Sequence, residues 1–273
     1  MRFAVIDNNR VEAEPQKQGF CPCCAQPVIA KCGEKKVWHW AHNNITKCDS
    51  WWEPETEWHR NWKNNFPLEW QEKVFFDEYS KEKHIADVST KYSLVIEFQH
   101  SHIDPNERAT REAFYKNMVW VVDGSRLKRD YSRFLKGKEN FKEIKKEIFR
   151  LEQPEEYLPA TWLNSNCPIV FDFTGCIDSN TINSSSVTKR NALYCLFPIN
   201  IGRESIIAEI SRSAFINSVL NGQWSVRAGQ FISDILQVKA ERQAQIDRIQ
   251  KRNNSMLLQS QLGNFSNRNR RRF

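Results

Sequence analysis

A chain of 273 residues with 40% hydrophobic and 27% charged side chains has the balance of a globular protein rather than a disordered one, with room for one large domain or two modest ones. No stretch nears the roughly eighteen uncharged apolar residues of a membrane span, and charge within the opening residues argues against a secretory signal, so a cytoplasmic protein with no membrane partner is expected. The formal charge is +7, and from Gln237 onward nine Lys or Arg stand against two acids, so the whole excess lies in that last stretch, where it can meet phosphate or merely solubilise.

Residues 2–6 are apolar enough for a short strand, and short strands are also expected at Val28–Ala30 and Val37–Trp38. Between them the chain is dense in cysteine and histidine, and residues 20–42 read FCPCCAQPVIAKCGEKKVWHWAH. Cys21 and Cys24 have the Cys-x-x-Cys spacing of a zinc knuckle, and His39 and His42 offer a second ligand pair, so the four would close a tetrahedral structural Zn²⁺ site. Cys48 is the alternate ligand, able to replace one histidine, with Cys23 and Cys32 as spares. The competing reading is a cluster of free thiols in a small aromatic core, but a segment with so little apolar mass needs a staple. Cys167, Cys176 and Cys195 lie far away and read as small buried residues.

Glu53-Pro54-Glu55-Thr56 opens a helix carried to about Asn65 and ended by Pro67. On it Glu55, His59 and Lys63 share one face, and Trp58, Trp62 and Phe66 line a neighbouring stripe. Strands follow at Val74–Phe76, Ile85–Val88 and Leu94–Gln99. Asp87 lies on the second, while Glu97 and Gln99 point to one side of the third. Nine residues separate Asp87 from Glu97, which suits adjacent antiparallel strands that bring both carboxylates to one edge, where a hard cation such as Mg²⁺ or Mn²⁺ takes oxygen ligands. Asp104 reads as an N-cap with Glu107 in capping-box position, opening a helix to about Asn117. Met118–Val122 then reads as a buried strand, giving a βαβ crossover. The helix carries Arg108, Arg111 and Tyr115 on one face, either as phosphate contacts or as surface charges paired with Glu107 and Glu112.

Phe141, Ile144, Ile148 and Leu151 have the spacing of an amphipathic helix, and Pro154 and Pro159 mark a boundary. Beyond it, strands at Ile169–Phe173 and Leu193–Phe197 surround a polar loop at 178–189, and a helix lies near Ile210–Leu220. A charged helix is expected from Ile232 to Asn253, with a disordered end.

Taken in order, CPCC…HWAH, ETEWH, HIADV…VIEFQHSHI, ERATREAFY and VWVVDG resemble the competence protein CoiA family over roughly residues 18–125. The resemblance implies a restriction-endonuclease-like mixed α/β sheet flanked by helices, of the PD-(D/E)xK nuclease type. The domains then run as an N-terminal zinc-binding segment (1–52), the nuclease core (53–153), a small α+β C-terminal domain (160–236) and a basic helix and tail (237–273). It makes Glu55 the helix acid, Asp87 and Glu97 the pair that binds Mg²⁺ or Mn²⁺, and His59 their catalytic neighbour. Gln99 stands where the wider superfamily usually has lysine. A glutamine orients by hydrogen bonds and supplies no charge, so Lys63, His59 and Lys83 become candidates for it. The activity implied is a metal-dependent deoxyribonuclease on single- or double-stranded DNA, with contacts from Lys63, Arg108, Arg111 and, in the tail, Arg270, Arg271 and Arg272. Two other readings stand beside it: a non-catalytic DNA-binding protein that assists recombination, and an adaptor that recruits a protein through residues 160–273 in a defence or repair complex.

Overall fold

The computed structural model describes residues 1–43, 48–51, 53–78, 81–173, 192–201 and 204–269, and these form a mixed α/β fold on two sheets. The smaller sheet is antiparallel and takes its five strands from the N-terminal segment: β1 (Phe3–Ile6), β2 (Asn9–Glu12), β3 (Gln18–Phe20), β4 (Pro27–Lys31) and β5 (His39–His42), in the order β2-β1-β3-β4-β5. The β1–β2 turn is made by Asp7 and Asn8, both at positive φ (49° and 62°), the conformation a two-residue hairpin needs and the residue types that tolerate it. Met1, Ala4, Val28, Trp40, Cys21 and Cys23 make its small core, against which Ile85 of the larger sheet packs.

The larger sheet has nine strands: β6 (Gln71–Phe76), β7 (Lys83–Ser89), β8 (Val95–Gln99), β9 (Met118–Asp123), β10 (Lys142–Lys145), β11 (Ile148–Glu152), β12 (Ile169–Asp172), β13 (Ala192–Ile201) and β14 (Glu204–Ser211), in the order β10-β11-β14-β13-β12-β9-β8-β7-β6. The helices are α1 (Glu57–Lys63), α2 (Pro105–Tyr115), α3 (Lys128–Lys138), α4 (Ala160–Leu163), α5 (Arg212–Leu220) and α6 (Trp224–Asn269). Strand β9 is parallel to both β8 and β12 and every residue of it is buried, as its unbroken apolar run requires. The expected βαβ unit is therefore β8-α2-β9, with Asp104 capping α2 at Asn106 N and Glu107 N. Glu107 itself turns away from the cap and pairs with Arg111.

Four expectations change. The predicted amphipathic helix over 141–151 is the β10–β11 hairpin. Glu147 at φ 62° turns the chain, and the apolar side chains that suggested a helix are recruited by the neighbouring strand β14 and by Phe134 and Tyr157. The boundary drawn before residue 160 does not divide the sheet, because β12 pairs directly with β9, and β13 and β14 continue the same sheet out to β11. Residues Met1–Ala228 make one compact unit, and a second begins at Gly229. The C-terminal helix is longer than expected, running through Asn269. Finally, α1 starts at Glu57 rather than at Pro54, because Thr56 and His59 form a reciprocal capping box. The 178–189 loop and Cys176 lie outside the described residues. Among those described, no helix is long and apolar enough to cross a membrane.

Candidate functional site

The antiparallel ladder of β7 and β8 pairs Val88 with Ile96, and its next step sets Asp87 opposite Glu97. There the backbone ladder gives way to side chains. Glu97 Oε1 accepts from Asp87 N at 3.2 Å, and Asp87 Oδ2 accepts from Phe98 N at 3.0 Å. The two carboxylates thus converge between the strands, in a solvent-connected cleft lined also by Glu53, Glu55, His59 and Lys63. Burial and then the Asp87 charge push the Glu97 carboxyl up to about 8, against the pull of Arg111, whose Nη1 lies 3.2 Å from Glu97 Oε2.

Helix α1 turns Lys63 into this cleft. The residue is 3% exposed, and its ammonium lies 3.2 Å from Asp87 Oδ1, 3.2 Å from Glu55 Oε1 and 3.1 Å from Glu72 Oε1. Burial opposes its charge, but Glu72, Asp87 and Glu55 together outweigh it and hold the lysine protonated, its pKa raised. Glu72 is fixed in turn by Arg2 N and Phe3 N, at 2.7 and 3.1 Å, so the start of the chain braces the pocket. Glu55 is gripped by Arg60 through both oxygens, at 3.0 and 2.8 Å. Despite its burial, Lys63 and Arg60 draw its carboxyl down to about 2. Glu55 therefore lies ahead of the helix rather than on its face, and its oxygens are already engaged.

At the other end of the cleft stands Glu53, an acid the sequence reading passed over. Its Oε1 accepts from His59 Nε2 at 2.8 Å, and its Oε2 from Gln99 Nε2 at 3.2 Å and from Ser101 Oγ. His59 Nε2 also lies 3.0 Å from Phe98 O, while its Nδ1 lies 3.2 Å from Thr56 N. Both ring nitrogens are used, so His59 positions Glu53 and the start of α1 rather than standing free as a base. Gln99 shares a face with Glu97, as the alternation of β8 implies, and its buried Oε1 has no hydrogen-bond partner among the described residues.

The arginine and lysine contacts expected for DNA need correction. Arg108 and Arg111 are buried rather than presented to solvent: Arg108 pairs with Glu112 and donates to Asn164 O at 3.0 Å, and Arg111 spans Glu97, Glu107 and Trp51 O. An α2 face that reads as surface charge is instead a set of internal ion pairs under the sheet. Lys63 is likewise enclosed by carboxylates. Arg270, Arg271 and Arg272 lie outside the described residues.

In the small sheet, Cys21, Cys24, His42 and Cys48 bring their ligand atoms within 4.8 Å of one another, and this cluster can hold a metal such as zinc. Cys21 Sγ and Cys48 Sγ are 3.7 Å apart, and Cys24 Sγ is 3.2 Å from His42 Nε2. Three sulfurs and one imidazole are a soft tetrahedral donor set of the kind zinc takes. The hydrogen bond to Cys48 and then burial hold the Cys21 thiol pKa above its ordinary value. His39 is not in the group. His39 and His42 sit on strand β5 three residues apart, so they face opposite ways, and His39 Nδ1 bonds Val37 O at 2.9 Å. Cys48, the alternate ligand, takes the place.

Residues 5–50 match the family model of the competence protein CoiA N-terminal domain. No curated protein and no solved structure matches the chain.

Proposed function

We propose that this chain, whose residues 5–50 match the CoiA N-terminal domain model, is a metal-dependent nuclease acting on DNA, with a restriction-endonuclease-like core. The observation that carries this reading is the convergence of Asp87 and Glu97 from neighbouring strands, with the Lys63 cation 3.2 Å from Asp87. The residues fit a hard divalent ion. Two carboxylates suffice for Mg²⁺ or Mn²⁺, which keep several waters, and burial together with the Asp87 charge disfavours the ionised form of Glu97, a cost that a divalent cation would offset. Such an ion, when bound, activates water and neutralises charge building on a phosphate. Arg111 orients Glu97 through its second oxygen. Lys63 fixes Asp87 and supplies from the helix the positive charge that Gln99 cannot supply from the strand. Gln99, bonded to Glu53 and Ser101, orders the strand end beside the pocket.

A non-catalytic DNA-binding protein is the second reading. It is favoured by the pairing of Lys63 and Arg111, the cations facing the cleft, with carboxylates already in place. Incubating the protein with single- and double-stranded DNA in Mg²⁺, in Mn²⁺ and without divalent ions separates the two. Cleavage only with metal is expected; binding in every condition with no cleavage gives the second reading.

A further inference from the structure

The hairpin formed by β4 and β5 ends in the stretch Lys31-Cys32-Gly33-Glu34-Lys35-Lys36-Val37-Trp38, with Lys31 paired across the ladder to His39. Lys31, Lys35, Lys36 and Trp38 are all exposed, Trp38 at 48%, and none of the three lysines has an ion-pair partner among the described residues. Trp40, two residues on, is buried in the small core, so the hairpin already has its aromatic anchor and the fold does not use Trp38 as a second one. The tip is also held in place. His42 of the same hairpin belongs to the metal cluster, and Trp38 O accepts from Arg60 Nη2 at 3.0 Å. Arg60 grips Glu55, which lines the carboxylate cleft, so the tip stands two side chains away from it.

An exposed indole among unpaired ammonium groups is what an unpaired nucleic-acid strand recognises: the ring stacks on a base face and the cations meet phosphates. A duplex keeps its bases stacked inside and offers the indole nothing comparable. We infer that the Lys31–Trp38 hairpin tip binds single-stranded nucleic acid, with Trp38 stacking on a base and Lys31, Lys35 and Lys36 holding the backbone that leads toward the cleft. The inference rests on the nuclease reading for that direction, and it deepens that reading by naming an unpaired strand as the substrate.

The test measures fluorescence anisotropy of labelled single-stranded and duplex oligonucleotides with the full chain, in buffer free of divalent ions and of chelator. Zinc content and circular dichroism check each variant. Trp38→Ala leaves the backbone carbonyl that Arg60 uses, and it should weaken single-strand binding by about 5- to 100-fold, with a much smaller effect on duplex. Trp38→Phe should stay within about threefold of wild type, since a smaller ring still stacks. Replacing Lys35 and Lys36 by Ala together should lower the salt slope of single-strand binding by about 1.4. Wild-type single-strand affinity in Trp38→Ala, equal losses on both DNAs, or an unchanged slope would overturn the assignment. The readout does not depend on cleavage. If Trp38→Ala weakens binding while wild type never cleaves, the nuclease reading alone falls; if wild type cleaves with metal while binding ignores Trp38, the hairpin assignment alone falls.

Discussion

Lys63 is the residue on which the cleft turns. With three carboxylates within 3.2 Å, two of them with enclosed side chains, it is repaid for its own desolvation. Lys63→Met should therefore cost about 3–5 kcal/mol, because it strands charges rather than a packing surface. For a unit of this size that lowers Tm by roughly 6–20 °C, measurable by calorimetry, and an unchanged Tm would show that the carboxylates rearrange. Acid gives a second check through Glu55. Its folded pKa of about 2 lies below the ordinary 4.5, so its stabilisation is present above about 4.5 and is lost as pH falls toward 2. The Tm gap between wild type and Glu55→Gln should close over that window, whereas a gap independent of pH would contradict the assignment. At this scale the juxtaposition of Asp87 and Glu97 was legible in the sequence, since strand alternation and spacing depend only on local order. The sequence did not reveal Glu53 or Glu72, single acids whose roles come in part from partners 46 to 70 residues away. Nor did it show that the arginines of α2 are internal, because an arginine paired under a sheet has the same helical spacing as one in water.

Among the elements, the small sheet is the one that a metal at its Cys/His cluster would tie together. Its core holds few large side chains, and Cys21, Cys24, His42 and Cys48 tie the β3–β4 turn, β5 and the segment after it together. Protein purified without chelator should carry one Zn²⁺ per chain by elemental analysis. Cys48→Ser should lower that content and expose residues 1–50 to limited proteolysis, while His39→Ala should leave both unchanged. Equal effects from the two would return His39 to the ligand set. The Cys-x-x-Cys half of this site was legible because a knuckle turn is local. The histidine half was not, because three-residue spacing joins side chains on a helix and separates them on a strand, and the choice between those is made by pairing with β4. The same limit explains the β10–β11 hairpin, where Ile148 and Leu151 fit a helical period but are claimed by β14. Local capping chemistry placed α2 well, and missed the start of α1 because His59 is an unusual partner for a Thr56 cap.

At the scale of the whole molecule, one nine-stranded sheet carries the cleft at β7–β8 and continues through β9 and β12 to the hairpin at its far edge, so the pocket is backed by most of the chain up to Ala228. The mixed α/β class could be read from the order of elements. The continuity of the sheet could not, since the prolines at 154 and 159 resemble a linker until β12 is seen beside β9. A chain ending at Ala228 should keep its Tm within a few degrees and should show a flatter salt dependence of DNA binding, because the net excess of basic residues lies beyond Gln237. A large fall in Tm would show that the helix beyond Gly229 supports the sheet. The central claim, that the Asp87–Glu97 pocket cuts DNA, is tested most directly by cleavage rates of wild type, Asp87→Asn and Glu97→Gln in Mg²⁺ and Mn²⁺, with zinc content and circular dichroism held equal. Asn keeps an acceptor for Phe98 N, so the strands stay joined while the charge is lost. The prediction is metal-dependent cleavage by wild type and a loss of roughly a hundredfold or more in each variant; wild-type rates in both variants, or no cleavage by wild type under any condition, would contradict it.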